Sequence, residues 1–297
     1  MRKYIVTTTI NEPTRAIKAF DSLAEWHLIV IGDKKTPTSY SLNRGTYISP
    51  NEQDELYPEL SKNIGWNCIQ RRNIGFLYAL TQGAELIASV DDDNIPLADW
   101  GNNVKLQKLI RVNKFKGLGG VFDPIAVTNY PQLWHRGFPI QQLNERNYES
   151  LGEVEESFDI QADFWNGDPD IDAICRMEHK PNCTFDENCF PFASDSISPF
   201  NSQNTFLSRN ALKNYFMFPK VGRMDDIWAA YYVQSIGFKV YYQRASVFQE
   251  RNVHDLTLDF EREVIGYLNN KKILSDLSVD PSSLKNYVGQ ELSLIHI

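Results

Sequence analysis

An apolar run, Leu86-Ile87-Ala88-Ser89-Val90, stops abruptly in Asp91-Asp92-Asp93-Asn94-Ile95-Pro96. Three adjacent carboxylates repel one another, so a fold that keeps them together at the edge of its core calls for a cation to offset that repulsion. A solvated acidic turn or a local side-chain cap accounts for most isolated triplets of this kind. Here the acids follow a strand that reads as buried and close on Asn-Ile-Pro, which favours a metal site serving a phosphorylated ligand.

Three further stretches carry usable side chains. Gly222-Arg223-Met224-Asp225-Asp226-Ile227-Trp228 sets a pair of acids where a helix begins. Asp is favoured there as an N-cap and for the helix dipole, but one acid suffices for a cap. Gln249-Glu250-Arg251-Asn252-Val253-His254-Asp255 carries the one histidine of five that stands out, after the last strand, although a lone histidine is by default structural or exposed. Arg71-Arg72-Asn73 and Lys34-Lys35 are the local cations a diphosphate would want, with a solvated helix face the plain alternative for Arg71.

The elements that must position these residues are legible. Tyr4 to Ile10 is rich in β-branched residues and ends at Asn11-Glu12-Pro13; Thr14 to Leu23 repeats apolar residues at helical spacing; His27 to Gly32 is a second apolar strand ending at Asp33. This β-α-β order predicts a parallel, right-handed crossover. Thr46 to Ser49 reads as a short strand before a polar segment, Pro50 to Glu59. Cys68 to Gly83 has helical spacing with Gly83 as its cap, and Leu86 to Val90 is a third buried strand. Open α/β sheets bind ligands beyond the carboxyl ends of their strands, and Asn11, Asp33 and Asp91 to Asp93 all fall at such ends.

From about Asn113 to Phe200 the chain is rich in Asn, Asp, Pro and aromatic residues and shows few periods, so irregular elements forming a second wall of a pocket are expected. Gly117 to Val121 reads as a strand of close backbone approach. Order returns with a strand at Asn201 to Leu207, a helix near Arg209 to Tyr215, the helix opened by Gly222 to Trp228, a strand at Lys239 to Tyr242, and a last helical segment from Leu256 to Leu268.

With 297 residues, 42% hydrophobic and 12% aromatic, the chain can build a sizeable core. Its 30 basic against 38 acidic residues give −8, which disfavours a general nucleic-acid binder. No apolar run approaches the roughly 20 residues that span a bilayer, and the start does not read as a signal peptide. A cytoplasmic place is expected, with peripheral attachment at the inner face of a membrane left open. Four cysteines, Cys68, Cys175, Cys183 and Cys189, lack C-x-x-C spacing and read as reduced thiols rather than zinc ligands.

Taken in order, the motifs resemble the STELLO-like (DUF288) glycosyltransferase family. The likeness rests on Val30-Ile31-Gly32-Asp33-Lys34-Lys35-Thr36-Pro37, Tyr47-Ile48-Ser49-Pro50, Asn63-Ile64-Gly65-Trp66, Arg72-Asn73-Ile74-Gly75-Phe76, Asp91-Asp92-Asp93-Asn94, Asn201-Ser202-Gln203-Asn204-Thr205, Met224-Asp225-Asp226-Ile227-Trp228 and Gln249 to Asp255. A more distant likeness is to the reversibly glycosylated polypeptides, UDP-arabinopyranose mutases, which share the strand ending in three aspartates and a later Asp-Asp-Ile-Trp.

The resemblance implies a GT-A fold of the Rossmann-like α/β class, with a mostly parallel central sheet flanked by helices. It is expected as a single catalytic domain over 1–297, with a nucleotide-binding half at 1–112 and an acceptor-side half at 113–297. It further implies a nucleotide-sugar donor, a carbohydrate acceptor and a divalent metal, Mn2+ or Mg2+, with bacterial surface polysaccharide synthesis as the setting. The donor-binding set is Thr8, Asn11, Asp33, Lys35, Arg72, Asn73, Asp91, Asp92 and Asn204. The metal ligands are Asp93 and Asp91, with His254 as third. Asp226 is the base toward the acceptor hydroxyl and Asp225 its partner. A nucleotide-sugar mutase and a non-catalytic GT-A-like scaffold are the alternatives. Donor sugar, stereochemical outcome and oligomeric state are not read from the sequence.

Overall fold

The structure is a computed structural model that describes residues 1–251 and 255–288. It opens with the expected β-α-β unit. Strand β1 (Lys3–Thr9) runs parallel to β2 (His27–Gly32), with Ile5 opposite Leu28, and the crossover is helix α1 (Arg15–Asp21). Thr14 starts that helix, its hydroxyl oxygen accepting from the Ile17 amide at 3.1 Å. Strand β3 (Thr46–Ile48) adds in parallel to β2.

The polar segment after β3, to which the sequence reading gave no structure, is helical. Helices α2 (Pro50–Leu56) and α3 (Pro58–Ile64) each carry a proline in the first turn, and Ser49 with Glu52 forms a capping box at the start of α2. Those signals were present in the sequence. Helix α4 (Arg72–Thr81) follows a 3-10 turn at Ile69–Arg71. It lies so close to the sheet at Gly75 that an added Cβ would come within 2.4 Å of Val6. That approach carries the start of α4, with Arg72, to the strand ends.

Strand β4 (Leu86–Val90), buried throughout, pairs parallel to β1. Short β5 (Asn94–Pro96) follows the acids. The stretch expected to be irregular contains regular strands: β6 (Leu109–Gly117) and β7 (Tyr148–Ser157) form an antiparallel hairpin, and β8 (Ile160–Gly167) enters the core. Gly117 ends β6, and Val121 makes only an isolated bridge with Ile197, so no strand runs from 117 to 121. Helix α5 (Ala173–His179) and strand β9 (Phe192–Ser194) complete this region.

Strand β10 (Asn204–Ser208) leads into α6 (Arg209–Leu212), then α7 (Asp225–Ser235), β11 (Val240–Gln249), α8 (Leu256–Val279) and α9 (Lys285–Val288). The strands form one sheet in the order β3-β2-β1-β4-β10-β8-β11-β9-β6-β7, with β5 paired to β11. It is an α/β sheet that is parallel from β3 to β4 and mixed beyond. Two antiparallel pairings decide the site. Asn204 of β10 lies opposite Val90 of β4, and Gln249 of β11 opposite Asn94 of β5, so residues 201–203 and 249–251 meet the acidic end of β4.

The main core lies against this sheet, with Ile5, Val6, Ile29, Ile31, Ile87, Phe206, Trp228 and Tyr231 fully buried. A smaller cluster of Ile110, Val112, Phe158, Ala193 and Tyr241 sits under the hairpin. All four cysteines are free. Among the described residues no helix is long and apolar enough to cross a membrane.

Candidate functional site

The ends of β1 and β4, the turn before β10, the end of β11 and the start of α7 enclose a cleft of about 490 Å³. A smaller cleft of about 300 Å³ adjoins it and shares Thr8, Asn67, Cys68, Ile69 and Asp92 with it. Polar side chains dominate the larger cleft, while the smaller runs toward Asp33 beneath the Asn67–Ile69 turn.

The three aspartates divide their contacts. Asp91 accepts from Arg72 at 2.6 Å, and its backbone N–H donates to the Gln203 carbonyl at 3.2 Å, fixing β4 to the turn before β10. Asp92 turns toward β1, accepting from Thr9 Oγ1 at 2.5 Å and Asn11 Nδ2 at 3.0 Å. Burial and the neighbouring charge of Asp91 raise the Asp92 pKa, although Thr9 and Asn11 oppose the shift. Asp93 lines the larger cleft, and its carbonyl accepts from the Glu250 amide at 3.1 Å. Asn94 is buried, donating to the Gln203 carbonyl at 2.8 Å. All three aspartates line the larger cleft, and Asp92, which also lines the smaller, is the one tied to β1 and the turn after it.

Arg72 is a buried brace. Besides Asp91 it donates to Ser89 Oγ at 3.2 Å, to the Ser202 carbonyl at 3.0 Å and to Thr8 Oγ1 at 3.4 Å, so one guanidinium joins β1, β4 and the approach to β10. Arg71 is not a solvated face, and it lines the smaller cleft. It is buried, donates to Gln53 and Ser61, and stacks on Trp66 with its guanidinium carbon 3.6 Å from the ring centroid. Asp33 accepts from the amides of Asn67 at 2.9 Å and Cys68 at 3.1 Å, shaping the turn that roofs the smaller cleft.

Not every expected residue arrives. Asn73 is buried away from both clefts, exchanging hydrogen bonds with the Met217 backbone at 2.8 and 2.9 Å. Asn204 is likewise internal, accepting from Trp100 at 2.9 Å and donating to the Phe164 carbonyl at 3.1 Å and Ser246 at 3.0 Å. Lys35 is exposed on the loop after β2 and lines neither cleft. None of the three lines either cleft: the face of α4 turns Asn73 inward, the register of β10 does the same for Asn204, and Lys35 stands out on its loop. His254 lies outside the described residues.

The two acids of the pair meet different partners. Neither acid caps α7, whose N-cap is Met224 with no side-chain capping bond. Asp226 accepts from Arg136 at 2.9 and 3.1 Å and from the Ser202 amide at 2.8 Å and hydroxyl at 3.1 Å. Burial alone would raise its pKa, but Arg136 more than offsets this and holds it below the ordinary carboxylate value. A carboxylate so engaged is a poor base. Asp225 accepts from Gln70 at 2.9 Å, and burial followed by the Asp226 charge pushes its pKa up to about 7. Asp225 is the acid poised to exchange a proton near neutrality.

Sequence reading missed the floor of the cleft. Asp170, from the segment after β8, joins Arg136 at 2.7 Å, Arg223 at 2.7 Å and Arg251 at 3.2 Å. Burial opposes its ionisation, yet these three cations hold its pKa well below the usual range. Arg223 also meets Asp259 at 3.2 Å and Glu263 at 2.8 Å on α8. Arg136 and Asp170 lie in a stretch without periodicity, and nothing local in the sequence pairs them. Arg223 and Arg251 sat inside stretches already singled out, beside the acids that drew attention.

A divalent cation suits part of this donor set. Asp91 and Asp93 are hard oxygen donors at one strand end, a pattern that leaves the remaining positions to phosphate oxygens and water. Among the described residues, however, no three His, Cys, Asp or Glu side chains are grouped to hold a metal by themselves.

No family model matches the chain. Two curated proteins of Arabidopsis thaliana are similar to it over 256 residues: Probable glycosyltransferase STELLO1 at 25% identity and Probable glycosyltransferase STELLO2 at 23%. Each match covers 79% of this chain and 33% of the plant protein, so the chain spans about a third of the length of these relatives. Among solved structures, glucosyl-3-phosphoglycerate synthase from Mycobacterium tuberculosis in complex with Mn2+, UDP and phosphoglyceric acid is 13% identical, with 91% of this chain and 78% of that chain covered and a TM-score of 0.46. A197 from STIV is 10% identical, with 83% of each chain covered and a TM-score of 0.37. The resemblance read from the motifs is thus matched by comparison: over most of its own length, this chain is similar in sequence to the STELLO glycosyltransferases.

Proposed function

We propose that this chain is a GT-A glycosyltransferase that uses Mn2+ or Mg2+ and moves a sugar from a nucleotide-sugar donor, such as a UDP-sugar, to a carbohydrate acceptor, in the setting of bacterial surface polysaccharide synthesis. The observation that carries the reading is one cleft with Asp91 and Asp93 on its strand-end wall and Asp225, poised near neutrality, on the helix wall.

The nucleoside enters the smaller cleft. Three of the roughly four lone-pair directions of Asp33 are taken by the amides of Lys34, Asn67 and Cys68, leaving capacity for a ribose or base donor. Thr8 and Asn11 line that cleft as well, and Asn11 steadies Asp92. Asp91 and Asp93 would hold the cation, with Arg72 fixing the orientation of Asp91. A divalent cation held there offsets the charge that gathers on the diphosphate as the sugar–phosphate bond breaks.

On the other wall Asp225 accepts the proton of the acceptor hydroxyl as its oxygen bonds to the sugar carbon and the nucleoside diphosphate departs. Gln70 orients Asp225, and burial, followed by the charge of Asp226 paired with Arg136, keeps the Asp225 pKa high. The test is a panel of nucleotide sugars in thermal-shift format with Mn2+, followed by product analysis of any stabilising donor. The reading requires at least one donor to raise the unfolding temperature and then to lose its sugar to an acceptor. Conversion of the donor ring form without acceptor would instead identify a mutase, and a panel without binding would leave only a scaffold.

A further inference from the structure

Four arginines of the larger cleft, the buried Arg72 and Arg136 and the half-buried Arg223 and Arg251, are paired with carboxylates: Arg72 with Asp91, Arg136 with Asp170 and Asp226, Arg223 with Asp170, Asp259 and Glu263, and Arg251 with Asp170. Lys220 and Arg262 line the same cleft, are exposed, and have no ion-pair partner among the described residues. Two acids of α8 close to Arg262 in sequence, Asp259 three residues before it and Glu263 next after it, are drawn instead to Arg223, at 3.2 Å and 2.8 Å.

The backbone segments that carry the two cations also meet. Gly222 has φ +60°, and a Cβ there would meet the Arg262 carbonyl oxygen at 2.0 Å, so the loop bearing Lys220 rests directly on the α8 backbone at Arg262. The same loop continues through Met224 into Asp225. The pair therefore stands on the helix side of the cleft, across from the strand ends that carry Asp91 and Asp93.

We propose that Lys220 and Arg262 bind a phosphoryl group on the acceptor, an inference that rests on the transferase reading above. Two uncompensated positive charges match a phosphomonoester dianion, and a guanidinium beside an ammonium offers both a planar fork and a point charge to its oxygens. A neutral saccharide would give these two side chains nothing to neutralise. The acceptor so recognised is a phosphorylated carbohydrate whose hydroxyl faces Asp225.

The test is calorimetric titration of inorganic phosphate and of methyl phosphate into the wild type and the Lys220→Ala/Arg262→Ala variant, with and without saturating UDP and Mg2+, and with acetate as the carboxylate arm. Expected is one phosphate or methyl phosphate per wild-type chain with UDP present, at least about tenfold weaker in the variant, with UDP affinity changed by less than about twofold. Equal phosphate affinity in the two proteins, or acetate binding as tightly as methyl phosphate, overturns the proposal; so does binding of free phosphate with methyl phosphate excluded. Unfolding temperature verifies the variant fold, and Arg262→Gln alone, which keeps the helix and its bulk, replaces it if the double change does not fold. Should wild-type chain fail to bind UDP while phosphate still depends on Lys220 and Arg262, the donor reading falls and with it the assignment to an acceptor.

Discussion

Replacing Asp225 by asparagine separates its chemistry from its place in the fold. Asp225 is buried with a pKa near 7 against an ordinary 3.8, a difference of roughly three units that corresponds to about 4 kcal/mol favouring the neutral acid. The sign follows from linkage. Between about pH 4 and pH 7 the unfolded chain has lost this proton while the native chain keeps it, so ionisation erodes native stability as pH rises and the loss levels off above the native value. Asparagine cannot ionise, and its carbonyl oxygen can still accept from Gln70. Asp225→Asn should therefore melt near the wild type at pH 4 and above it at pH 8, by an amount on the order of a few kcal/mol in stability. Transfer should fall by about 10²- to 10⁴-fold, the range for loss of a general base. Wild-type kcat/KM should rise with pH and flatten near 7. Melting curves at the two pH values and a pH profile of nucleoside diphosphate release are the assays. A variant that is no more stable at pH 8 than the wild type would refute the pKa argument, and one that keeps a third or more of its turnover would refute the base and favour a retaining mechanism.

Other substitutions distinguish the remaining roles. Arg136→Met leaves Asp170 and Asp226 buried with one partner fewer, and should destabilise the chain by about 3–5 kcal/mol in chemical denaturation; a change under about 1 kcal/mol would contradict the buried network. Asn204→Ala and Asn73→Ala should each cost roughly 1–3 kcal/mol of stability while leaving nucleotide affinity within about twofold, since both side chains bond only to the protein interior; a selective loss of nucleotide binding would return them to the site. Arg72→Ala should reduce both stability and donor affinity, because the same guanidinium orders Asp91 and joins β1, β4 and the turn before β10. Restored donor affinity with Arg72→Lys would show that charge alone matters, against the forked geometry seen here.

The strand ends were legible because the chemistry that makes them is local. Runs of β-branched and apolar residues must be buried, and each stops at a polar residue that cannot be, so Asn11, Asp33 and Asp91 announced both the strands and the rim. The network under the cleft was not legible. Arg136 reaches Asp226 across 90 residues of chain, and Asp170 gathers three arginines from separate segments; such pairings are set by sheet order, which no local period encodes. The hairpin at 109–117 and 148–157 was missed because its exposed charges hide the alternation of Ile110 and Val112, while α2 was missed despite a capping box and a first-turn proline. The reversal between Asp225 and Asp226 has the same origin. Adjacent identical side chains differ only in which distant partner each meets, Gln70 in one case and Arg136 in the other.

The central claim is that Asp91 and Asp93 hold a divalent cation that receives the diphosphate of the donor. Calorimetric titration of UDP into wild type, Asp91→Ala and Asp93→Ala, each with Mn2+ and with EDTA, tests it most directly. The account predicts binding of one UDP to the wild type in Mn2+, its loss in EDTA, and its loss in both variants while their secondary structure persists. UDP bound equally well in EDTA, or by Asp93→Ala in Mn2+, would contradict it.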